Sequence, residues 1–183
     1  LRTHENIPPR LYSGAEVLAD PSNIRTLIEQ HELITLGGSR YLLVEFDFGL
    51  PGSVLLRTLE AIAQRGLVPV VAHPERYDAV QRDPGLAAWC FSRGMLLQLN
   101  KGSLLGLLGS RAEDTALHLL SHGLAHLIAS DAHDDRFRTT GFRSLLPVLE
   151  PICHPDYIAL LLHGNPRRIL RDEPIPIPPL QSD

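Results

Sequence analysis

Short apolar runs alternate with amphipathic stretches along most of the chain, and this alternation restricts its fold more than any other feature. The runs are of strand length and rich in Val, Leu and Ile, whereas the stretches between them repeat apolar residues at helical spacing. Strands that alternate with helices build βα units around a parallel sheet. The sequence therefore predicts an α/β fold. The predicted strands are residues 10–17, 41–48, 67–73, 95–100 and 126–130.

The stretches between these runs carry the start and stop signals of helices. Gly66 and Gly123 each follow an amphipathic stretch, and glycine is the residue that most often closes a helix. Pro84 suits the first turn of another helix. The predicted helices are residues 53–66, 84–93, 110–122, 155–164 and 165–170.

Composition narrows the class of protein. With 183 residues, of which 44% are hydrophobic, the chain has the size and make-up of one globular domain. Its net charge of −4 gives no general attraction for nucleic acid or anionic lipid. We find neither a signal peptide nor a long apolar run, so we expect a cytoplasmic protein without membrane insertion. Cys90 and Cys153 are expected to be buried free thiols.

The last residues differ in composition from the rest of the chain. We assign residues 1–172 to the folded domain and residues 173–183 to a tail that is rich in proline. Such a tail is expected to be an extended surface peptide or to lack fixed structure.

Polar residues interrupt the apolar pattern where the predicted strands end. Glu16, Glu45 and His73 come from three different runs, and Asp131 with His133 follows a fourth. In parallel α/β folds the carboxyl ends of the strands form the edge at which active sites lie. Carboxylate and imidazole groups suit Mn²⁺, Fe²⁺, Zn²⁺ or Mg²⁺, and a cation would offset the repulsion between carboxylates. A metal site is the hypothesis that explains the whole set.

Each of these residues also has an ordinary interpretation. A glutamate at the end of a strand is usually solvated or paired with an arginine. His73, before Pro74, is also consistent with a hydrogen-bonded histidine at the sheet edge, and Asp131 with a cap of the following helix. Because four separate strand ends each supply such a residue, the metal hypothesis is favoured over these interpretations.

Two arginines lie a few residues beyond candidate ligands. Arg76 follows His73, and Arg138 follows His133. A guanidinium group binds phosphate through two parallel hydrogen bonds, which favours a phosphate site beside the metal. The alternative is that each is a surface arginine, paired with Asp78 in one case and Asp135 in the other.

The other histidines and the two cysteines give weaker indications of function. His118 and His122 have the i, i+4 spacing that can bind zinc on a helix, but the glutamate of an HExxH motif is absent. We interpret them as surface histidines. His126 begins a predicted strand, away from the active edge, and is interpreted as structural. Neither cysteine lies in the nucleophile loop of a cysteine-dependent phosphatase.

Six segments, in order, resemble one known family. They are AEV, LLVEF, VVAHPERY, QLNKGSLLG, HLIASDAH and NPRRIL. Over residues 10–171 the chain resembles the bacterial tyrosine-protein phosphatases of the PHP type (polymerase and histidinol phosphatase), which belong to capsular and exopolysaccharide gene clusters. The resemblance implies a (β/α) barrel of about seven strands, distorted relative to the eight-stranded form.

The resemblance also implies a chemistry for the residues that match. It implies a trinuclear site at the strand ends, with Mn²⁺ the most expected metal and Arg76 and Arg138 binding phosphate. The implied reaction is hydrolysis of phosphotyrosine, by metal-activated water, on a kinase that regulates polysaccharide synthesis. The implied metal ligands are Glu16, Glu45, His73, Asp131 and His133.

One departure from the family pattern leaves alternatives open. Family members begin with an HxH motif, which this chain does not contain, so we expect a barrel incomplete at its N-terminus. Open strand edges would favour a homo-oligomer. The alternatives to a protein-tyrosine phosphatase are a phosphoesterase acting on a small phosphorylated metabolite and a non-catalytic protein that binds the kinase or a sister subunit.

Overall fold

A computed structural model describes residues 10–29, 33–133 and 139–176, and in these ranges the chain is α/β as predicted. The strands are β1 (Glu16–Leu18), β2 (Tyr41–Glu45), β3 (Val68–Ala72), β4 (Leu96–Asn100) and β5 (Leu127–Ala129). The helices are α1 (Ile24–Glu29), α2 (Gly52–Ala63), α3 (Asp78–Arg82), α4 (Gly85–Ser92), α5 (Lys101–Leu104), α6 (Ser110–Ser121), α7 (Leu146–Leu149), α8 (Pro155–Ala159) and α9 (Asn165–Leu170). Short 3₁₀ turns lie at Leu36–Gly38, Pro74–Arg76 and Arg143–Leu145, and a π-helical turn, Leu160–Gly164, joins α8 to α9.

The strands form one parallel sheet in the order in which they occur in the sequence. A doubly wound sheet reverses its strand order at a switch point, whereas a barrel adds each strand beside the previous one. The order β1-β2-β3-β4-β5 is therefore that of a barrel segment. This agrees with the PHP-type fold expected from the sequence.

The two faces of the sheet bury different sets of residues. The larger core lies between the sheet and helices such as α2 and α6, where Leu42, Val44 and Leu97 are almost wholly buried. Alternate residues point to the opposite face, which would be the inside of a barrel. A smaller cluster of Tyr41, Val70, Leu96, Leu127 and Ile169 fills the start of that face.

The first residues of the tail pack against the sheet. The Tyr41 hydroxyl donates a hydrogen bond of 2.7 Å to the carbonyl oxygen of Glu173, and Ile175 packs against the smaller cluster. Arg40 forms a 2.9 Å ion pair with Asp172 nearby. The domain boundary at residue 172 stays a prediction, and residues 177–183 lie outside the described ranges.

The first strand is shorter than predicted. The sequence pattern predicts strand structure over residues 10–17, but β1 begins only at Glu16. The backbone ahead of it bonds to a loop instead: Ala15 N–H donates to the Ile34 carbonyl, and Gly37 N–H to the Ser13 carbonyl. Because the backbone of residues 10–15 bonds to this loop, these residues do not pair with a strand of the sheet.

His126 is structural, as predicted. It precedes β5, is only 3% exposed, and its Nδ1 accepts a hydrogen bond of 3.1 Å from Leu97 N–H. Burial lowers the pKa of His126 from its usual 6.5 to about 4. Both cysteines are buried free thiols, also as predicted. In the described ranges no helix is long and apolar enough to cross a membrane.

The low pKa of His126 predicts a specific loss of stability in acid. The unfolded chain takes up a proton near pH 6.5 and the folded chain only near pH 4, so stability present above pH 6.5 is lost as the pH falls through this window. Between pH 7 and pH 5 the loss from this residue should be about 2 kcal/mol. His126→Asn keeps an acceptor for Leu97 N–H but does not titrate.

The measurement is urea unfolding of both proteins at pH 7 and pH 5. The free energy of unfolding should fall by about 2 kcal/mol less in His126→Asn than in the original chain. An equal fall in the two proteins would show that His126 is not held neutral by burial.

Candidate metal centre

Three of the predicted ligands come from neighbouring strands: Glu45 ends β2 and His73 follows β3, whereas Glu16, predicted near the end of a strand, is the first residue of β1. Glu16 in β1 is in register with Leu43 in β2, and Glu45 follows Leu43 by two residues. Side chains that are in register in a parallel pair, or two residues apart along one strand, share a face. Because Leu43 packs against the smaller cluster, both glutamates lie on the face that would be the inside of a barrel.

His73 completes the group from the end of β3. Its Nε2 lies 3.3 Å from Oε1 of Glu16 and 3.3 Å from Oε1 of Glu45. The three candidate ligand atoms are all within 4.8 Å of one another. The His73 side chain is 3% exposed, whereas each glutamate keeps about a third of its surface accessible. One side of the cluster is therefore open to solvent or substrate.

The backbone at His73 is in an unusual conformation. His73 has φ 33° and ψ 56°, the left-handed region that residues other than glycine seldom adopt. Pro74 follows it and begins a 3₁₀ turn, in which Arg76 N–H donates to the His73 carbonyl at 3.0 Å. Such strain is retained where the surrounding structure fixes it, commonly at functional sites.

Tyr77 joins the strand ends that carry two of these ligands. It is fully buried, donates a hydrogen bond of 2.8 Å to the Ala72 carbonyl and accepts one of 3.1 Å from Phe46 N–H. Ala72 precedes His73, and Phe46 follows Glu45. The phenol therefore fixes the two ligands relative to each other.

The residues present fit a divalent cation. Two carboxylates this close repel each other, and a cation between them would remove that cost. An imidazole nitrogen and carboxylate oxygens are ligands for Zn²⁺ and for the harder first-row cations. Nε2 of His73 faces both carboxylates, while its buried Nδ1 has no hydrogen-bond partner within the described ranges. Nε2 is thus the nitrogen placed to bind a cation.

Asp131 and His133 lie outside this three-residue cluster. Oδ2 of Asp131 accepts a hydrogen bond of 2.6 Å from the Asn100 amide, and His133 Nδ1 lies 2.9 Å from the Asp131 carbonyl oxygen. His133 is 59% exposed. β5 and β1 are at opposite edges of the five-stranded sheet, so Asp131 and Glu16 come from strands that are not adjacent.

Two residues that the sequence analysis did not select connect β4 to the site. Asn100 ends β4, and its position at a strand end is the same signal that identified the other candidates. Its backbone N–H donates to Oε1 of Glu75 at 3.0 Å, and the Ser103 hydroxyl donates to the same oxygen at 2.6 Å. Glu75 is 0% exposed, and burial raises its pKa. No sequence signal separates Glu75 from an exposed glutamate.

Arg76 is half-buried and is not used in an ion pair in the described part of the chain. The alternative partner considered above, Asp78, instead pairs with Arg82 at 2.8 Å. The Arg76 guanidinium lies over the Phe48 ring, with Cζ 4.4 Å from the ring centroid. Its N–H groups are therefore available for another anion. Arg138 lies outside the described residues.

The remaining features are separate from this cluster. His118 and His122 are exposed on the outer side of α6, as predicted, with ring centroids 4.1 Å apart. A cavity of about 340 Å³ lies beside α3 and α6 and shares no lining residue with the metal cluster. It is lined by Asp78, Gln81, Arg82, Arg111, Asp114 and Thr115.

Comparison with known proteins places the chain in a family. Residues 2–171 match the family described as capsular polysaccharide synthesis, CpsB/CapC. The chain belongs to the CpsB/CapC family. It is similar to the tyrosine-protein phosphatase YwqE of Bacillus subtilis, with 28% identity over 93% of this chain and 66% of that protein. It is also similar to the putative tyrosine-protein phosphatase CapC of Staphylococcus aureus, with 33% identity over 67% of this chain and 48% of that protein.

A solved structure of this CpsB/CapC group has the same fold. It comes from the crystal structures of YwqE from Bacillus subtilis and CpsB from Streptococcus pneumoniae, described as unique metal-dependent tyrosine phosphatases. The TM-score is 0.83 at 27% identity, over 97% of this chain and 71% of that chain. The chain thus spans two thirds or less of the length of the first curated relatives that it matches.

The cluster predicts that a divalent cation stabilises the folded chain. A cation that binds only the folded state raises the free energy of unfolding, by about 2.7 kcal/mol at a concentration 100 times its Kd. His73→Ala removes the central ligand and should abolish most of this gain. The measurement is urea unfolding with and without Mn²⁺ or Zn²⁺.

His118→Ala is the matched control, because it removes a histidine from the pair His118 and His122, whose i, i+4 spacing could also bind a metal. This variant should keep the full stabilisation by the cation. If His118→Ala loses the stabilisation and His73→Ala keeps it, the cation binds on α6 and not at the strand ends.

Proposed function

We propose that this chain is a metal-dependent phosphoesterase that hydrolyses phosphotyrosine on a protein partner. The observation that carries the proposal is the cluster of Glu16, Glu45 and His73 with Arg76 just beyond it on the same loop. Such a cluster provides a place for a cation, and Arg76, which has no ion-pair partner among the described residues, provides a guanidinium for a phosphate group. The similarity to YwqE and CpsB, which are described as metal-dependent tyrosine phosphatases, supports the choice of substrate.

The proposed ligands of the cation are Glu16, Glu45 and His73, with Asp131 and His133 as further ligands from β5. Mn²⁺ is the metal we propose, and Fe²⁺, Zn²⁺ or Mg²⁺ would suit the same nitrogen and oxygen donors. When bound, such a cation supplies Lewis acidity toward a phosphoryl oxygen and toward water.

The side chains of the chain have separate roles in this proposal. Arg76 binds the phosphate oxygens through its N–H groups and stabilises the negative charge on them during transfer, and we assign the same role to Arg138. The burial of His73 and the hydrogen bonds of the Tyr77 hydroxyl keep the ligands in fixed positions. Little reorganisation is therefore needed when substrate binds.

The two cysteines do not fit the other chemistry used by tyrosine phosphatases. A cysteine nucleophile must be accessible and reactive as a thiolate. Burial raises the pKa of Cys90 to about 12 and that of Cys153 to about 11, so both thiols are protonated at neutral pH. They are the chain's only cysteines. This supports hydrolysis by water over a covalent cysteine mechanism.

We further propose that the partner is a cytoplasmic tyrosine kinase of polysaccharide synthesis. The description of the family as capsular polysaccharide synthesis supports this choice. A small phosphorylated metabolite is the alternative substrate, and the two are separated by comparing phosphotyrosine peptides with sugar phosphates.

The proposal predicts turnover of p-nitrophenyl phosphate that depends on added Mn²⁺. Arg76→Ala should lower kcat/KM by about 100-fold, because the phosphoryl oxygens lose a charged donor in the transition state. Arg82→Ala is the matched control, since Arg82 is a nearby arginine whose partner is Asp78 and whose side chain is 75% exposed. It should keep full activity.

Three assays check this prediction: steady-state kinetics of all three proteins, metal analysis, and thermal unfolding to confirm folding. Equal losses of activity in Arg76→Ala and Arg82→Ala would contradict the role of Arg76. A folded chain that binds Mn²⁺ but has no turnover of any aryl phosphate would contradict the proposed activity.

A further inference from the structure

We propose that Phe48 is a positioning residue, which holds the guanidinium of Arg76 in the orientation that binds phosphate. The inference rests on the proposed function in one respect, namely that Arg76 is a phosphate ligand. Phe48 lies in the loop after β2, three residues beyond the candidate ligand Glu45.

The ring of Phe48 contacts both the arginine and the metal cluster. Its centroid is 4.4 Å from Cζ of Arg76 and 5.9 Å from the centroid of the His73 ring, which it meets edge-on at 69°. A backbone hydrogen bond also joins the loop after β2 to the segment after β3, because Asp78 N–H donates to the Phe48 carbonyl at 2.9 Å. Phe48 is thus fixed relative to the turn that carries Arg76.

An arginine held over an aromatic ring is well suited to bind an anion. The side chain of a free arginine has many rotamers, and ordering them on binding weakens affinity. A cation–π contact uses the flat face of the guanidinium and leaves the N–H groups at its edge available for two parallel hydrogen bonds to phosphate. An ion pair with a carboxylate would instead occupy those N–H groups.

Phe48 is less buried than the aromatic residues of the core, although its ring also packs against the buried Tyr77, with ring centroids 6.0 Å apart. The ring remains 39% exposed, unlike Phe46 two residues earlier, which is 1% exposed and belongs to the core. Its contact with Arg76, which has no ion-pair partner within the described ranges, is the observation that supports a role in the site.

The test is binding of inorganic phosphate to the chain supplemented with Mn²⁺, measured by calorimetry. Phe48→Leu keeps apolar volume but removes the aromatic face, and phosphate should bind about three- to tenfold more weakly. Phe48→Trp keeps an aromatic face and should restore affinity to within roughly twofold of the original. In an Arg76→Ala background, Phe48→Leu should cause no further weakening, because Phe48 acts only through Arg76.

Trp89→Leu is the matched control, since Cζ of Arg93 lies over the Trp89 ring, 4.8 Å from its centroid, in another cation–π pair outside the candidate site. This variant should bind phosphate as the original chain does. The proposal is overturned if Phe48→Leu binds phosphate normally, if its effect adds fully to that of Arg76→Ala, or if it loses Mn²⁺, which would mean that Phe48 acts through His73.

The readout separates this inference from the proposed function. Phosphate binding that depends on both Arg76 and Phe48, in a chain without turnover, would sustain the positioning role and contradict the activity. Turnover that depends on Arg76, with Phe48→Leu fully active and unchanged in phosphate affinity, would support the activity and contradict the positioning role.

Discussion

Two carboxylates and one buried imidazole, contributed by three neighbouring strands, meet at one place, and the rest of the site depends on keeping them there. The His73 nitrogen is 3.3 Å from an oxygen of each glutamate. Adjacent strands are separated by about 4.8 Å, so side chains on the same face of neighbouring strands converge where the register brings them side by side. The strand order β1-β2-β3 and the two hydrogen bonds of the Tyr77 hydroxyl hold the three side chains together. Without a cation, the repulsion between the carboxylates opposes it.

Asp131, beyond β5, is linked to the loop that carries His73 through buried polar groups. Glu75, one residue beyond Pro74, accepts hydrogen bonds from Asn100 N–H at the end of β4 and from the Ser103 hydroxyl in α5. The Asn100 side chain donates to Asp131 beyond β5. A polar network that is largely satisfied in a low-dielectric interior is rigid. This network therefore gives the loops after β3, β4 and β5 fixed positions, although Asp131 remains outside the three-residue cluster. Asn100 and Glu75 influence the site without being candidate ligands.

The alternation of strands and helices and the polar residues at strand ends were predictable from the sequence because both follow local periodicity. This predicted Glu16, Glu45 and His73 as neighbours. Two things were not predictable. Residues 10–15 have strand-like composition but pair with a loop, because pairing depends on a partner that local sequence does not specify. The contacts of Phe48 and Glu75 also arise from tertiary packing, so no motif marks them. The roles of all seven candidate residues stay predictions: Glu16, Glu45, His73, Asp131 and His133 as metal ligands, and Arg76 and Arg138 as phosphate ligands.

The measurement that tests the central claim most directly is anomalous X-ray diffraction from crystals of the chain soaked in Mn²⁺. The account predicts an anomalous peak within coordination distance of the Glu16 and Glu45 carboxylates and of His73 Nε2. A strong peak at His118 and His122, with none at the strand ends, would contradict it.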